Sequence, residues 1–162
     1  MKTAIFLRWL SLTMLVIVLD QVTKLWADSA LQLYRPVEVV PFFNLMLAYN
    51  PGAAFSFLSD AGGWQRWFFT ALSSVVSVVL LIWLHRLKEQ ERWMSASLSL
   101  ILAGAVGNLI DRIAYGHVID FIDVYYQSHH WPAFNIADSA ILIGAAIMIT
   151  LTLREGKNEK QP

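Results

Sequence analysis

WFFTALSSVVSVVLLIWL, running from Trp67 to Leu84, is eighteen residues without a single charge. Crossing a bilayer as a helix takes about 20 mostly apolar residues. This stretch therefore predicts a membrane span, and it sets the frame for the rest of the chain. Three further windows are similar. Trp93 to Ile110 is also uncharged and ends at Asp111. Trp9 to about Ala27 carries Asp20 and Lys24 towards its end, and Ile136 to Leu153 carries Asp138 in its first turn. Met1 to Leu19 has the look of a signal peptide, but a polar helical continuation follows it rather than a cleavage site, so it reads as a retained span.

Composition agrees with this frame. The chain has 162 residues, read as one membrane-embedded domain. It is 57% hydrophobic and 15% charged, with a mean hydropathy of +0.52, which is too apolar for an ordinary soluble domain. Its net charge is zero, which favours no nucleic acid partner. It has no Cys, which excludes disulfides, thiolate catalysis and Cys-based metal sites. The segment 154–162 reads as a solvated polar tail.

Four spans bring both termini to one side. Eight of the twelve basic residues (Lys2, Arg8, Arg86, Lys88, Arg92, Arg154, Lys157 and Lys160) fall on that side, against Lys24, Arg35, Arg66 and Arg112 on the other. The positive-inside rule then puts the termini in the cytoplasm. The outer side collects the end of span 1, the loop 28–64, the end of span 3 and the start of span 4. Nearly every unusual polar residue lies there. Within loop 28–64, Leu31–Tyr34 alternates and Val37–Val40 is β-branched, which predicts a small β-rich platform. Phe42 to Tyr49 is apolar enough to lie in the headgroup region. The expected fold class is thus mainly α, a polytopic membrane protein with four transmembrane helices and a β-rich platform in its first outer loop.

Carboxylates where a chain enters or leaves a bilayer are expensive, and so mark function. Asp120, in Val118-Ile119-Asp120-Phe121, and Asp138, in Phe134-Asn135-Ile136-Ala137-Asp138, are such a pair. Helix capping by Asn135 with an acidic residue three positions on would also explain Asp138. What raises it is Asp120 on the same side, across a short loop that can return the chain. Other polar residues keep two readings. Asn50-Pro51-Gly52 is a tight turn, or Asn50 offers its amide to a bound peptide backbone. Asp20 and Lys24 at i and i+4 form a helical ion pair. Asp111 reads as a structural partner of nearby polar groups. Asn108 and Arg112 share that reading, with holding substrate carbonyls as an addition. Ala103-x-x-x-Gly107 and Ala140-x-x-x-Gly144 let helices approach closely. His117, His129, His130 and Asp123 imitate a metal site, but no H-E-x-x-H is present and a metalloprotease reading is weak. No serine has a nucleophile context, and the only outer lysine is Lys24, so a Ser/Lys hydrolase has little support. The rival from another class is a proton- or cation-coupled carrier. Its coupling acids belong near the bilayer midplane, whereas these cluster at one face.

Five ordered blocks together resemble the lipoprotein signal peptidase family, also called signal peptidase II. They are Leu19-Asp20-Gln21-Val22-Thr23-Lys24, Asn50-Pro51-Gly52-Ala53-Ala54-Phe55, Gly107-Asn108-Leu109-Ile110-Asp111-Arg112, Val118-Ile119-Asp120-Phe121 and Phe134-Asn135-Ile136-Ala137-Asp138-Ser139. The resemblance implies a bacterial inner-membrane aspartic endopeptidase with its site facing the periplasm. The implied substrates are prolipoproteins carrying a diacylglyceryl group on the lipobox cysteine, cut just before that cysteine. It implies Asp120 and Asp138 as the catalytic dyad, with Asn50, Asn108, Arg112 and Asn135 lining the substrate site. Asp20, Lys24 and Asp111 match positions of structural character. No metal or other cofactor is implied. The implied partners are the lipidated prolipoproteins, membrane lipid and cyclic-peptide inhibitors.

Overall fold

The computed structural model describes residues 3–52 and 62–158. Its order is helix α1 (Thr3–Ala30), strands β1 (Val37–Val40) and β2 (Phe43–Asn50), helices α2 (Trp64–Arg86) and α3 (Arg92–Ala114), strands β3 (Val118–Tyr126) and β4 (His129–His130), and helix α4 (Ile136–Asn158). All four helices are long and apolar enough to cross a membrane. Their bounds run past the apolar windows, because helices continue into the polar residues that flank a hydrocarbon core. Outward-facing Val75, Val79, Leu142 and Ile149 are exposed, as side chains meant for lipid must be in a chain seen alone.

Helix α3 is the centre of the bundle. Its buried face is built from Ser95, Ser97, Ser99, Ala103, Gly104, Ala105 and Gly107, so neighbouring backbones come close. Ser97 Oγ donates to the Gly144 carbonyl at 2.7 Å, and Thr13 Oγ1 donates to the Ser99 carbonyl at 3.1 Å. A Cβ added to Gly144 would sit 2.7 Å from Ile101 Cγ1 and 2.8 Å from the Ser97 carbonyl, so a side chain here in α4 would force its neighbours to shift. Larger apolar residues, Leu80, Leu84, Leu98 and Leu102, fill the contact between α2 and α3 towards the end away from the sheet.

The four strands form one antiparallel sheet in the order β1-β2-β3-β4. This corrects the sequence reading in two places. The platform is not confined to the first loop, because half of it comes from the α3–α4 connection. Phe43–Asn50 is the second strand, with Asn44 and Leu47 buried. Leu31–Tyr34 makes only an isolated bridge from Leu33 to Leu47. Alternation over four residues is too short to hold a strand without a ladder of partners, and here Tyr34 turns to a positive φ of 55°.

The sheet fixes what lies at the end of the bundle. A bulge between Leu45 and Ala48 slips the β2–β3 ladder by one residue, after which Ala48 faces Asp120 and Asn50 faces Val118. Asn50 and Asp120 thereby become diagonal neighbours on one face. Phe134 is pinned to the other side of β3 through Ile122, with N–H to O distances of 2.8 and 3.0 Å in the two directions. Asn135 is therefore delivered next to Asp120.

Candidate active site

Asp120 and Asp138 meet at Asn135. Asn135 is fully buried, and its Nδ2 donates to Asp120 Oδ1 at 2.7 Å. Its Oδ1 accepts from the Asp138 N–H at 2.8 Å, and its own N–H donates to Asp138 Oδ2 at 3.3 Å. This is the cap predicted from sequence, and it serves both carboxylates at once. Asn50 Nδ2 donates to Asp120 Oδ2 at 3.1 Å. Asn108 Nδ2 donates to Asp138 Oδ1 at 2.8 Å. Every carboxylate oxygen of the pair thus has an amide donor.

Burial governs the electrostatics of Asp120. The residue is 2% exposed, and removal from water pushes its carboxyl up to about 7, with the negative charge of Asp138 adding to the rise. The hydrogen bonds from Asn50 and Asn135 oppose the shift without cancelling it. Near neutral pH this carboxyl exchanges a proton readily. A carboxyl that can hold or release a proton at neutral pH, set beside a second carboxyl, is suited to general acid and base work.

A second layer holds the site in place. Lys24 lies between Asp20 (2.8 Å) and Asp111 (2.9 Å), all three buried. The Asp20–Lys24 pair was expected from the sequence, whereas the Lys24–Asp111 pair was not. Each acid has a second task. Asp20 Oδ1 accepts from the Ala137 N–H at 2.8 Å, in the first turn of α4, and Asp111 Oδ2 accepts from the Ile119 N–H at 3.2 Å, one residue before Asp120. A buried anion at a helix N-terminus is the favourable sign. Gln21, which the sequence reading did not single out, donates to Asp111 Oδ1 (2.9 Å), the Gly107 carbonyl (3.2 Å) and Asp20 Oδ2 (3.2 Å). Its position one residue after Asp20 was its only signal.

Arg112 closes the other flank. It donates from Nη2 to the Gly52 carbonyl (3.0 Å) and from Nη1 to the Asn108 carbonyl (3.2 Å). Its Nε is buried with no hydrogen-bond partner among the described residues. Asn50 keeps both sequence readings, since its Oδ1 also accepts from the Gly52 N–H at 3.0 Å, which closes a turn. Ala53 to Phe55 of that block lie outside the described residues. Arg66, another residue the sequence did not flag, donates to the Arg112 and Ile113 carbonyls and caps the end of α3.

The residues that imitated a metal site go to different places. His130 Nδ1 lies 2.9 Å from Asp123 Oδ1, and Asn44 Nδ2 donates to Asp123 Oδ2 at 2.8 Å. His117 packs instead against the Tyr49 ring at 4.2 Å. Burial pulls His117 below the ordinary histidine range.

The chain is similar to known proteins along most of its length. The family model described as "Signal peptidase (SPase) II" matches residues 12–154. A protein of Pseudomonas putida named "Lipoprotein signal peptidase" is 52% identical over 158 residues, covering 96% of this chain and 92% of the relative. One of the same name from Acinetobacter baumannii is 56% identical over 143 residues, covering 88% and 81%. A solved structure described as "Bacterial membrane enzyme structure by the in meso method at 2.3 A resolution" aligns with a TM-score of 0.85 at 32% identity, covering 96% of this chain and 93% of that one. A second membrane enzyme, solved at 1.9 Å, aligns at a TM-score of 0.78 and 33% identity, covering 90% and 92%. The fold is that of a multi-pass membrane protein, and the match runs through Asp20, Asn108, Asp120 and Asp138 alike: the chain belongs to the signal peptidase II family.

Proposed function

We propose that this chain is an aspartic endopeptidase of the bacterial inner membrane, and that it removes signal peptides from prolipoproteins by cutting before a diacylglyceryl-modified cysteine. Family membership supports the coarser part, a peptidase acting on lipoprotein signal peptides. One observation carries the aspartic part. Asn135 bridges a buried carboxylate, pushed up to about 7, and a half-buried one, at the end of a bundle of apolar helices.

Asp138 is the starting base. Its oxygens accept from Asn108 Nδ2 and the Asn135 N–H, and it sits in the first turn of α4, where an anion is favoured. Asp120 holds the shared proton. Asp138 takes a proton from a water that attacks the scissile carbonyl, while Asp120 protonates the carbonyl oxygen. The proton gained by Asp138 then goes to the leaving amine, and as the intermediate collapses one of its hydroxyls returns a proton to Asp120 and reforms the carbonyl. The Nε of Arg112, without a hydrogen-bond partner among the described residues, is a donor for a substrate carbonyl on this reading, with Asn50 a further donor beside the pair. Asn108 and Asn135 orient the dyad and line the site.

The membrane supplies part of the specificity. The signal peptide's helix lies among the spans while the diacyl chains remain in lipid. The termini are cytoplasmic and the site faces the periplasm, a reading supported by the eight basic residues on the terminal side. Cyclic peptides that mimic an extended substrate are inhibitors on this reading. Purified protein, incubated with lipidated and unlipidated forms of one precursor with and without EDTA, tests it. Cleavage only of the lipidated form, unaffected by EDTA, is expected. Equal cleavage of both forms, or complete loss with EDTA, contradicts the proposal.

A further inference from the structure

The Lys24 ammonium has three protons and three acceptors. Two are the carboxylates of Asp20 and Asp111. The third is Asn108 Oδ1, at 3.0 Å. Two acids already balance the charge, but the third proton of a buried ammonium still needs an acceptor, and Asn108 supplies it. Lys24 is 1% exposed, and all its donors are committed inside the protein.

A side-chain amide has an acceptor end and a donor end, and which end points where decides what it does. With Oδ1 of Asn108 on Lys24, its Nδ2 faces away, 2.8 Å from Asp138 Oδ1. Reversed, the amide would set a carbonyl oxygen against the Asp138 carboxylate and an NH2 against the ammonium. Both contacts would be repulsive, and the one at Lys24 is buried away from water. Asn135 Nδ2 also donates towards Asn108 Oδ1, at 3.2 Å, but it is nearer to Asp120 Oδ1, at 2.7 Å. The charged donor is therefore the one that settles the amide, since charge-assisted hydrogen bonds are roughly twice as strong as neutral ones. The same rigid cluster carries Asp20 to the Ala137 N–H and Asp111 to the Ile119 N–H, so α4 and β3 are held to the frame that orients Asn108.

We propose that Lys24 is a positioning residue for the reaction: through Asn108 it presents a fixed N–H donor to Asp138, which keeps that carboxylate aimed and ready as the base. The proposal rests on the aspartic reading above and adds to it a residue that touches neither substrate nor water.

The test measures kcat and KM on a lipidated precursor with purified full-length protein. Lys24→Met is made together with Asp111→Asn, so that one buried positive and one buried negative charge leave together. The reference is Asp111→Asn alone. Relative to it, kcat is expected to fall roughly 100-fold, the scale of a misplaced catalytic group, with KM changed less than about threefold. With Asn108→Ala added to the pair, the triple variant is expected to be little worse than Asp111→Asn carrying Asn108→Ala alone, because both changes remove one chain of contacts. Unchanged kcat, or losses that multiply, would overturn the proposal.

If the paired variant does not yield folded protein, Asn108→Asp carries the test. It keeps the contact to Lys24 but removes the donor towards Asp138. Large loss of kcat with KM kept supports the role, and wild-type kcat overturns it. Asp138→Asn in the same assay separates the two levels. If that variant cleaves normally, the aspartic reading itself fails, whereas if it is silent while the Lys24 variant is unaffected, only the Lys24 role fails.

Discussion

Asn135 and Asp138 cap each other: the Asp138 N–H donates to Asn135 Oδ1 at 2.8 Å, and the Asn135 N–H donates to Asp138 Oδ2 at 3.3 Å. A reciprocal cap of this kind ordinarily ends a helix neatly. Here it also sets where a carboxylate points, because the Nδ2 left over on Asn135 reaches Asp120. Start of helix and placement of the pair are one structural event.

Asn135 substitutions should therefore separate capping from chemistry. Asn135→Ala removes the cap at a cost of about 1 kcal/mol and loses cleavage as well. Asn135→Asp keeps a capping oxygen for the Asp138 N–H but places a third carboxyl beside Asp120. It is expected to melt closer to the wild type than Asn135→Ala does, and yet to be inactive. Thermal melts in detergent, run beside a cleavage assay, check both. Full activity in Asn135→Asp would show that the bridge between the carboxylates is dispensable.

Asp111→Asn is expected to lower yield and melting temperature more than chemistry. Asp111 serves Lys24, Gln21 and the Ile119 N–H, all contacts within the protein. Protein that survives extraction should keep appreciable activity per molecule. A well-folded but silent variant would move Asp111 into the reacting group.

Two glycines in the helices should give different defects. At Gly144 an added Cβ meets Ile101 and the Ser97 carbonyl at 2.7 and 2.8 Å, far from the pair. Gly144→Ala is expected to cost about 1–3 kcal/mol through overpacking, with activity per folded molecule retained. At Gly107 the added Cβ meets Asp20 Oδ2 at 2.6 Å. Gly107→Ala should lower both stability and activity, because it pushes on the carboxylate that seats α4. Equal loss of kcat in both would contradict the distinction.

Much of this arrangement was legible in the sequence, and the reason is membrane physics. Asp120 and Asp138 are conspicuous because carboxylates near apolar spans are costly, and four spans force the motifs to one end. The Asn135 cap and the Asp20–Lys24 pair follow from spacings of three and four along a helix. The shared sheet was not legible. Strand β3 reads Val118-Ile119-Asp120-Phe121-Ile122-Asp123-Val124-Tyr125-Tyr126, a β-branched and aromatic run that the sequence reading treats only as part of a short loop. Its partner lies some 70 residues earlier, across two helices, and non-local pairing leaves no local mark. The bulge that slips the ladder and puts Asn50 beside Asp120 leaves none either. Gln21 and Arg66 matter through backbone carbonyls and buried acids that only the packing brings to them.

The elevated Asp120 carboxyl gives stability a pH dependence of definite sign. Its ordinary value is 3.8, and in the fold it is about 7. The folded state therefore holds a proton that the unfolded state releases between these values, so this residue's contribution is full below about pH 4 and is lost as pH rises through 7. Asp120→Asn removes that dependence. The melting temperature of the variant minus that of the wild type is expected to increase from pH 4 to pH 8. A flat difference across this range would mean that Asp120 is ionised in the fold at ordinary carboxylate pH.

The most direct test of the account is the mass of the product when purified Asp120→Asn and Asp138→Asn variants meet a lipidated precursor. Each substitution keeps the shape and removes either the shared proton or the base, and loss of one member should cost nearly as much as loss of both. The account predicts folded, membrane-inserted protein and uncleaved lipidated precursor from each single variant and from the double. Cleavage at the wild-type rate by both single variants would contradict it.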